Sequence, residues 1–133
     1  MRQDYEDKVM KHYTRVAQES GLSASCTMED EYIREGESRA ILRLIELAAK
    51  SAAASLRVLD VGCGNGYTLR TLAERIRDGG LSGSIELLGI EKNHELRQLA
   101  SKMNEGLPVT IAEGDILRAE TLGVSQASAD VCL

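Results

Sequence analysis

Three short stretches of the 133-residue sequence bring together residue types that can do chemistry. The first is Asp60-Val61-Gly62-Cys63-Gly64-Asn65-Gly66, an acid followed by alternating glycines. The second is Glu91, directly after the apolar run Ile85-Glu86-Leu87-Leu88-Gly89-Ile90. The third is Gly114-Asp115, just beyond Val109-Thr110-Ile111-Ala112. Glycines leave room where a Cβ would project, so a ligand can lie against the backbone, and they permit positive φ. A carboxylate placed like Glu91 can accept hydrogen bonds from both hydroxyls of a ribose. Asp115 is placed to accept from an exocyclic amine such as that of adenine. Together these residues describe a site for an adenosine-bearing molecule.

The glycine spacing narrows the choice. A dinucleotide fingerprint has glycines at its first, third and sixth positions. Here they stand first, third and fifth, and the sixth position is Tyr67, too large for a close helix–strand approach. Asp60, just ahead of the loop, would repel a pyrophosphate but suits a ligand that carries an ammonium and a sulfonium. No GxxxxGK[ST] pattern is present, which excludes a phosphate-cradling nucleotidase loop. Plainer roles exist for each acid: Glu91 as a carboxylate favoured at a helix start, Asp115 as ordinary turn chemistry. Asp60 closes a buried strand and needs a specific partner there. Cys63 reads as a small loop residue rather than a nucleophile, and His12 and His94 as surface residues on helices.

The elements that must position these residues follow from periodicity. Tyr5, Val9, Tyr13, Val16 and Ala17 form one stripe of a helix over 4–18, ending near Gly21. A second helix starts around Met28-Glu29-Asp30, where acidic residues suit the helix dipole, and runs to about Lys50 with Ile41, Leu44, Ile45 and Ala48 inward. The run Ser51-Ala52-Ala53-Ala54-Ser55 is a small-residue exit. From Leu56 the period changes to strand, then helix through Leu69, Leu72, Ala73 and Ile76, ending at Asp78-Gly79-Gly80. Strand over 85–90 follows, then a helix capped by Asn93 with Leu96, Leu99, Ala100 and Met103 inward, then strand over 109–112. Ala129-Asp130-Val131-Cys132-Leu133 begins a further strand. Alternating helices and strands, the strands apolar on both faces, predict an α/β fold: a doubly wound parallel sheet with helices on each side. Right-handed crossovers then put the chemistry-bearing residues on one sheet edge.

At this point Val58-Leu59-Asp60-Val61-Gly62-Cys63-Gly64-Asn65-Gly66 resembles the first motif of class I S-adenosylmethionine-dependent methyltransferases, which have a Rossmann-like fold. Gly89-Ile90-Glu91 resembles their ribose-binding acidic motif, Glu113-Gly114-Asp115-Ile116 their adenine-side motif, and 129–133 the start of strand four. The resemblance covers about residues 56–133, and residues 1–55 are similar in kind to the helical caps these enzymes carry. It implies S-adenosyl-L-methionine as cofactor. Asp60 would face its methionine end. Gly62, Gly64 and Gly66, with Cys63 in the same loop, would line the methionine and ribose. Glu91 would hold the ribose hydroxyls, and Asp115 with the Ile116 backbone the adenine. Lys92 departs from the pattern, since that neighbour is usually apolar; its stem would cover the ring while the ammonium reaches solvent. Tyr5, Tyr13 and Tyr32 read as core or cap residues, and such a cap can also turn Tyr13 toward the cofactor.

The implied activity is in-line methyl transfer to an unidentified acceptor, with no metal. The catalytic residues normally follow strand four, so the sequence names none. Leu133 falls inside the fourth strand of a sheet that in this family has about seven, so the segment reads as a truncated cofactor half. Either a longer chain or a partner completes an active enzyme, the segment alone being inactive, or these residues act as a non-catalytic S-adenosylmethionine-binding module. An exposed strand-four edge is a pairing liability and a route to homo-oligomers. The net charge of −5, from 16 basic and 21 acidic residues, does not point to nucleic acid. No apolar run suits a membrane span. Cys26, Cys63 and Cys132 suit neither a disulfide framework nor a zinc site, and read as reduced thiols of a cytoplasmic protein. Phe and Trp are absent, so the core is aliphatic.

Overall fold

Apolar runs and amphipathic segments alternate along the chain, and the fold follows that alternation. The computed structural model describes residues 2–27, 30–51, 55–79, 84–121 and 128–133. Helix α1 spans Arg2–Ser20, α2 Glu31–Ser51, β1 Ser55–Val61, α3 Tyr67–Gly79, β2 Ser84–Glu91, α4 His94–Met103 and β3 Val109–Glu113. A short 3-10 helix, Ile116–Thr121, kinked at Arg118, precedes β4 at Val131–Cys132. The expected start of α2 at Met28-Glu29, the Ala52-Ala53-Ala54 exit and Gly80 lie outside the described residues.

All strands pair in parallel, in the order β3-β2-β1-β4. The chain steps outward from β1 to β3 and returns to the other side of β1. Such a reversal opens a crevice beyond the carboxyl ends of the strands, where ligands bind in open sheets. Register sets Val58 opposite Leu87 on one side and Val131 on the other, with Leu87 opposite Val109.

Because side chains alternate across a strand, Leu56, Val58 and Leu87 share one face. They pack on Ile45 of α2, Leu69, Leu72 and Ala73 of α3, and Ala100 of α4, the main core. Burying each of these leucines and valines contributes about 1.5–3 kcal/mol. The opposite face is mixed rather than apolar. It carries an Arg57–Glu86 ion pair at 3.0 Å between β1 and β2. Leu59, Leu88 and Thr110 line a groove of about 510 Å³ on that side. The expectation of strands apolar on both faces holds for one face, since α2, α3 and α4 all contribute to the core against it.

Both helix caps are local, the one at Asn93 as the sequence indicates and the one at Asp30 where an acidic helix start was expected. Asp30 Oδ1 accepts from the Tyr32 and Ile33 amides at 2.9 and 3.1 Å, starting α2. Asn93 Oδ1 accepts from the Leu96 amide at 3.0 Å, starting α4. Within α2 the inward stripe is Ile41, Leu42, Ile45, Ala48 and Ala49, while Leu44 is 57% exposed. Leu44 sits one residue, about 100° of helix, away from Ile45 and so turns off the packed stripe. Helix α1 lies along α4, with Val16 and Ala17 against Cys26, Leu96 and Leu99. Among the described residues no helix is long and apolar enough to cross a membrane.

Candidate functional site

The glycine loop leaves β1 by folding over the end of β2. The amides of Gly62 and Cys63 both donate to the Ile90 carbonyl, at 2.8 and 3.1 Å. Gly62, Gly64 and Gly66 have φ of 76°, 58° and 77°, a region that L side chains rarely adopt. Their surroundings differ. A Cβ on Gly66 would lie 2.5 Å from Asn104 Nδ2 and 3.0 Å from Ala100 Cα, so this glycine lets α4 approach the loop. A Cβ on Gly64 would lie 3.0 Å from Thr27 Cγ2, so this one admits the connection between α1 and α2. A Cβ on Gly62 would meet nothing within 4 Å, because that side is open.

Glu91, at the end of β2, is buried and holds the loop in shape. Its Oε2 accepts from the Gly64 amide at 2.9 Å and its Oε1 from the Asn93 amide at 2.7 Å. An ionised carboxylate has about four acceptor positions, which leaves about two for a ligand. Three buried asparagines complete the frame. Asn65, fully buried, donates through Nδ2 to the Gly21 and Ser23 carbonyls at 3.1 and 2.9 Å, and accepts from the Tyr67 amide at 3.3 Å. Asn93 donates to Thr14 Oγ1 at 3.1 Å, and Asn104 to the Gly66 carbonyl at 3.1 Å. The α1–α2 connection is thereby seated directly on the glycine loop. Sequence reasoning singled out Asn93 alone of these three. Asn65, just ahead of a helix, carried a capping signal, but nothing local indicated carbonyls some forty residues away.

A cavity of about 370 Å³ opens beside the loop. Val61, Gly62, Ile90 and Glu91 form its floor, and Lys92, Gly114, Asp115 and Ile116 one wall. Tyr5, Val9, Met10 and Tyr13 of α1 roof it. Of the expected site residues, Gly62, Glu91, Lys92, Asp115 and Ile116 therefore meet in one cavity. Asp60, Cys63, Gly64 and Gly66 do not line it. The tyrosines are not core residues. Tyr5 and Tyr32 are largely exposed, and Tyr13 is 40% exposed with its ring on the cavity. The α1 stripe divides its work: its first half roofs the cavity and its second half packs on α4.

Lys92 and Asp115 form an ion pair at 2.8 Å across the cavity wall. The Lys92 ammonium ends on the Asp115 carboxylate, which lies within its reach, while the side chain stays exposed. Asp115 Oδ1 also accepts from the Leu117 amide at 3.0 Å. Lys92 first, then that amide, hold the Asp115 carboxyl below the usual carboxylate range.

Asp60 is the opposite case. Burial pushes its pKa up to about 6, the Arg34 charge pulls the other way, and the Glu91 charge adds to the rise. Burial, with Asp60 and Glu91 nearby, also pushes the Cys63 thiol far up, so this cysteine is an inert part of the core. Among the described residues no group of three or more His, Cys, Asp or Glu side chains could hold a metal ion.

Solved structures share this arrangement of strands and helices. A phosphoethanolamine N-methyltransferase from Haemonchus contortus, in complex with phosphoethanolamine and S-adenosylhomocysteine, is 16% identical with a TM-score of 0.57, over 95% of this chain and 24% of that one. A SAM-dependent methyltransferase from Leishmania major is 15% identical with a TM-score of 0.51, over 77% of this chain and 38% of that one. An amino pentose methyltransferase from Micromonospora echinaspora, solved with SAM bound, is 31% identical with a TM-score of 0.48, over 68% of this chain and 32% of that one. The chain thus spans 24–38% of the length of these proteins. No curated protein sequence matches significantly. The family profile described as a methyltransferase domain matches residues 52–133, a run that takes in the glycine loop, Glu91 and Asp115, and by that match the chain belongs to the methyltransferase-domain family.

Proposed function

We propose that the chain is the cofactor-binding part of an enzyme that transfers a methyl group from S-adenosyl-L-methionine to an unidentified acceptor. The observation that carries this reading is the cavity where the open side of Gly62, the Glu91 carboxylate and Asp115 meet beneath α1. Its volume of about 370 Å³ lies in the range of small-molecule sites. The donor set fits the ligand. Glu91 keeps acceptor positions for two ribose hydroxyls while its other positions fix Gly64 and Asn93. Asp115 and the Ile116 backbone face the adenine edge, with the Lys92 stem beside the ring. Gly64, Gly66 and Cys63 set the shape of the loop, and Asp60 offers a half-buried acid to the ligand's cationic end. When bound, the sulfonium supplies the activated methyl group. The chain's own residues orient the nucleoside and, through Tyr5, Met10 and Tyr13, shield it from water.

Calorimetry with S-adenosylmethionine, S-adenosylhomocysteine and NAD tests the reading: the first two bind and NAD does not. Preference for NAD would overturn it. A cytoplasmic setting, argued from the three free cysteines, belongs to the same proposal. So does pairing of the outer β4 edge with further strands or a second copy; light scattering reports the second of these. Among the described residues β4 pairs only with β1.

A further inference from the structure

The segment that carries Asp115 hangs from the end of a strand. The register of β2 and β3 closes at Glu91 opposite Glu113, and Asp115 stands just beyond it. There the Gly114 amide donates to the Glu91 carbonyl over a long 3.4 Å, weaker than an ordinary rung of the ladder. As register partners, Glu91 and Glu113 also send their carboxylates out on the same face of the sheet. Like charges on adjacent strands repel. A weak last rung and a repulsive pair would together let the chain after β3 drift away from β2.

Arg97 opposes both effects. It stands in the first turn of α4, the helix that packs over this face, and its side chain is only 17% exposed. A cation so near a helix N-terminus meets the positive end of the dipole, so its place there needs another source of stability. The guanidinium supplies one by turning back over the strand ends. Its Nη1 donates to the Glu91 and Lys92 carbonyls at 3.3 and 3.4 Å, and its Nη2 pairs with Glu113 at 2.9 Å. Nη2 also lies 3.1 Å from His94 Nδ1, which steadies the fork. One side chain thus grips β2 by its backbone and β3 by its acid, and it neutralises the Glu113 charge beside Glu91. Glu91 is held independently by the Gly64 and Asn93 amides, so the grip matters most for the side that carries Asp115.

We propose that Arg97, which does not line the cavity, is a positioning residue that sets where Asp115 stands relative to Glu91. The inference rests on the function proposed above and adds a residue outside the cavity that governs how the base is read. Arg97 acts through Glu113 and the strand-end carbonyls, so it tunes selectivity for the base and leaves the ribose contact intact.

The test compares three ligands by calorimetry: 5′-methylthioadenosine, 5′-methylthioinosine, in which an oxygen replaces the base amine, and the 2′-deoxy form of the first. Wild-type protein should prefer the adenine ligand to the inosine one by roughly ten- to a hundredfold, the range for hydrogen bonds to a charged group. Arg97→Gln should narrow that preference by roughly two- to fivefold, the range for a partly exposed ion pair. Its preference for the ribose over the 2′-deoxyribose ligand should stay as in wild type, which also reports that the variant is folded. Glu113→Gln, changed at the exposed end of the pair, should do the same, and the double variant should lose no more than either single one. Unchanged base discrimination in the two single variants overturns the inference. So does an equal loss of base and ribose discrimination, which marks a merely structural arginine. Wild-type protein that binds 5′-methylthioadenosine without discriminating by the base amine overturns this inference alone. Wild-type protein that binds none of the nucleosides overturns the proposed function as well.

Discussion

Asp60 gives the proposed site a pH dependence of definite sign. Its pKa in the folded protein is pushed up to about 6, against the ordinary 3.8, chiefly by burial. The folded state therefore holds the proton more tightly than the unfolded chain. Stability from this source is full below the ordinary value and is lost as pH rises through about 6, by about 3 kcal/mol at most. A ligand ammonium ~4 Å from the carboxylate, at an effective dielectric of ~20, would interact by about 4 kcal/mol. That is enough to return the carboxyl to its ordinary range, so binding expels the proton. At pH 5 about nine-tenths of the free protein carries that proton, and at pH 7 about one-tenth. The dissociation constant of S-adenosylhomocysteine should thus fall about tenfold, or about 1.4 kcal/mol, between pH 5 and pH 7. Calorimetry in buffers of different ionisation enthalpy should report a proton released at the lower pH. Asp60→Asn should flatten the profile, which assigns the slope to this carboxyl. A flat wild-type profile, or the same slope in Asp60→Asn, would refute the reasoning.

Other consequences concern the frame around the site. Asn65→Ala removes two buried hydrogen bonds to the α1–α2 connection and the support of the Tyr67 amide; urea unfolding should show a loss of about 2–4 kcal/mol. Asn65→Asp should be worse, since a carboxylate would face two carbonyls. Glu91→Ala strands the Gly64 and Asn93 amides, so it should lower stability by about 2–4 kcal/mol besides weakening nucleoside binding. Glu91→Gln keeps one acceptor oxygen and should show the binding loss with a smaller stability loss; equal stability loss in both would mean that charge, not acceptor count, holds the loop. Gly66→Ala should unfold the loop region, because its Cβ collides with Ala100 and Asn104, whereas Gly62→Ala should cost only about 1 kcal/mol of backbone strain yet impair ligand binding by filling the open side. Denaturation and calorimetry on the two variants read these effects separately, and a reversed order would overturn the assignment of the two glycines.

What the sequence disclosed is what short-range chemistry decides. The cap at Asn93, the period change at Leu56 and the acids ending β2 and following β3 depend on neighbours a few residues away, and each stands where local rules put it. Arg34, Asn65 and Asn104 stayed hidden because their partners are set by how the α1–α2 connection and α4 come to rest on the loop. The Lys92–Asp115 pair stayed hidden for the same reason: it spans the end of β2 and the start of the 3-10 helix, and only strand order makes them neighbours. Tyr5 and Tyr13 stayed open between core and cap because a stripe records a buried or sheltered face without saying whether the shelter is a core or a cavity.

Gly66 shows how a correct residue can be selected on an incomplete argument. Its fifth-place position separated this loop from a dinucleotide fingerprint and seemed a matter of ligand. Yet the space that a Cβ would need there is taken by α4, through Ala100 and Asn104, and Asn104 then bonds the Gly66 carbonyl. In the dinucleotide fingerprint the sixth-place glycine serves close packing of helix on strand. Here the fifth-place glycine serves packing of α4 on the loop, which frees the sixth place for Tyr67, the ring that Arg34 lies over. The spacing that distinguishes the two ligand classes is therefore, in this chain, the trace of a different helix contact. Gly62, the one loop glycine with open space beside it, is where the ligand itself should impose the choice.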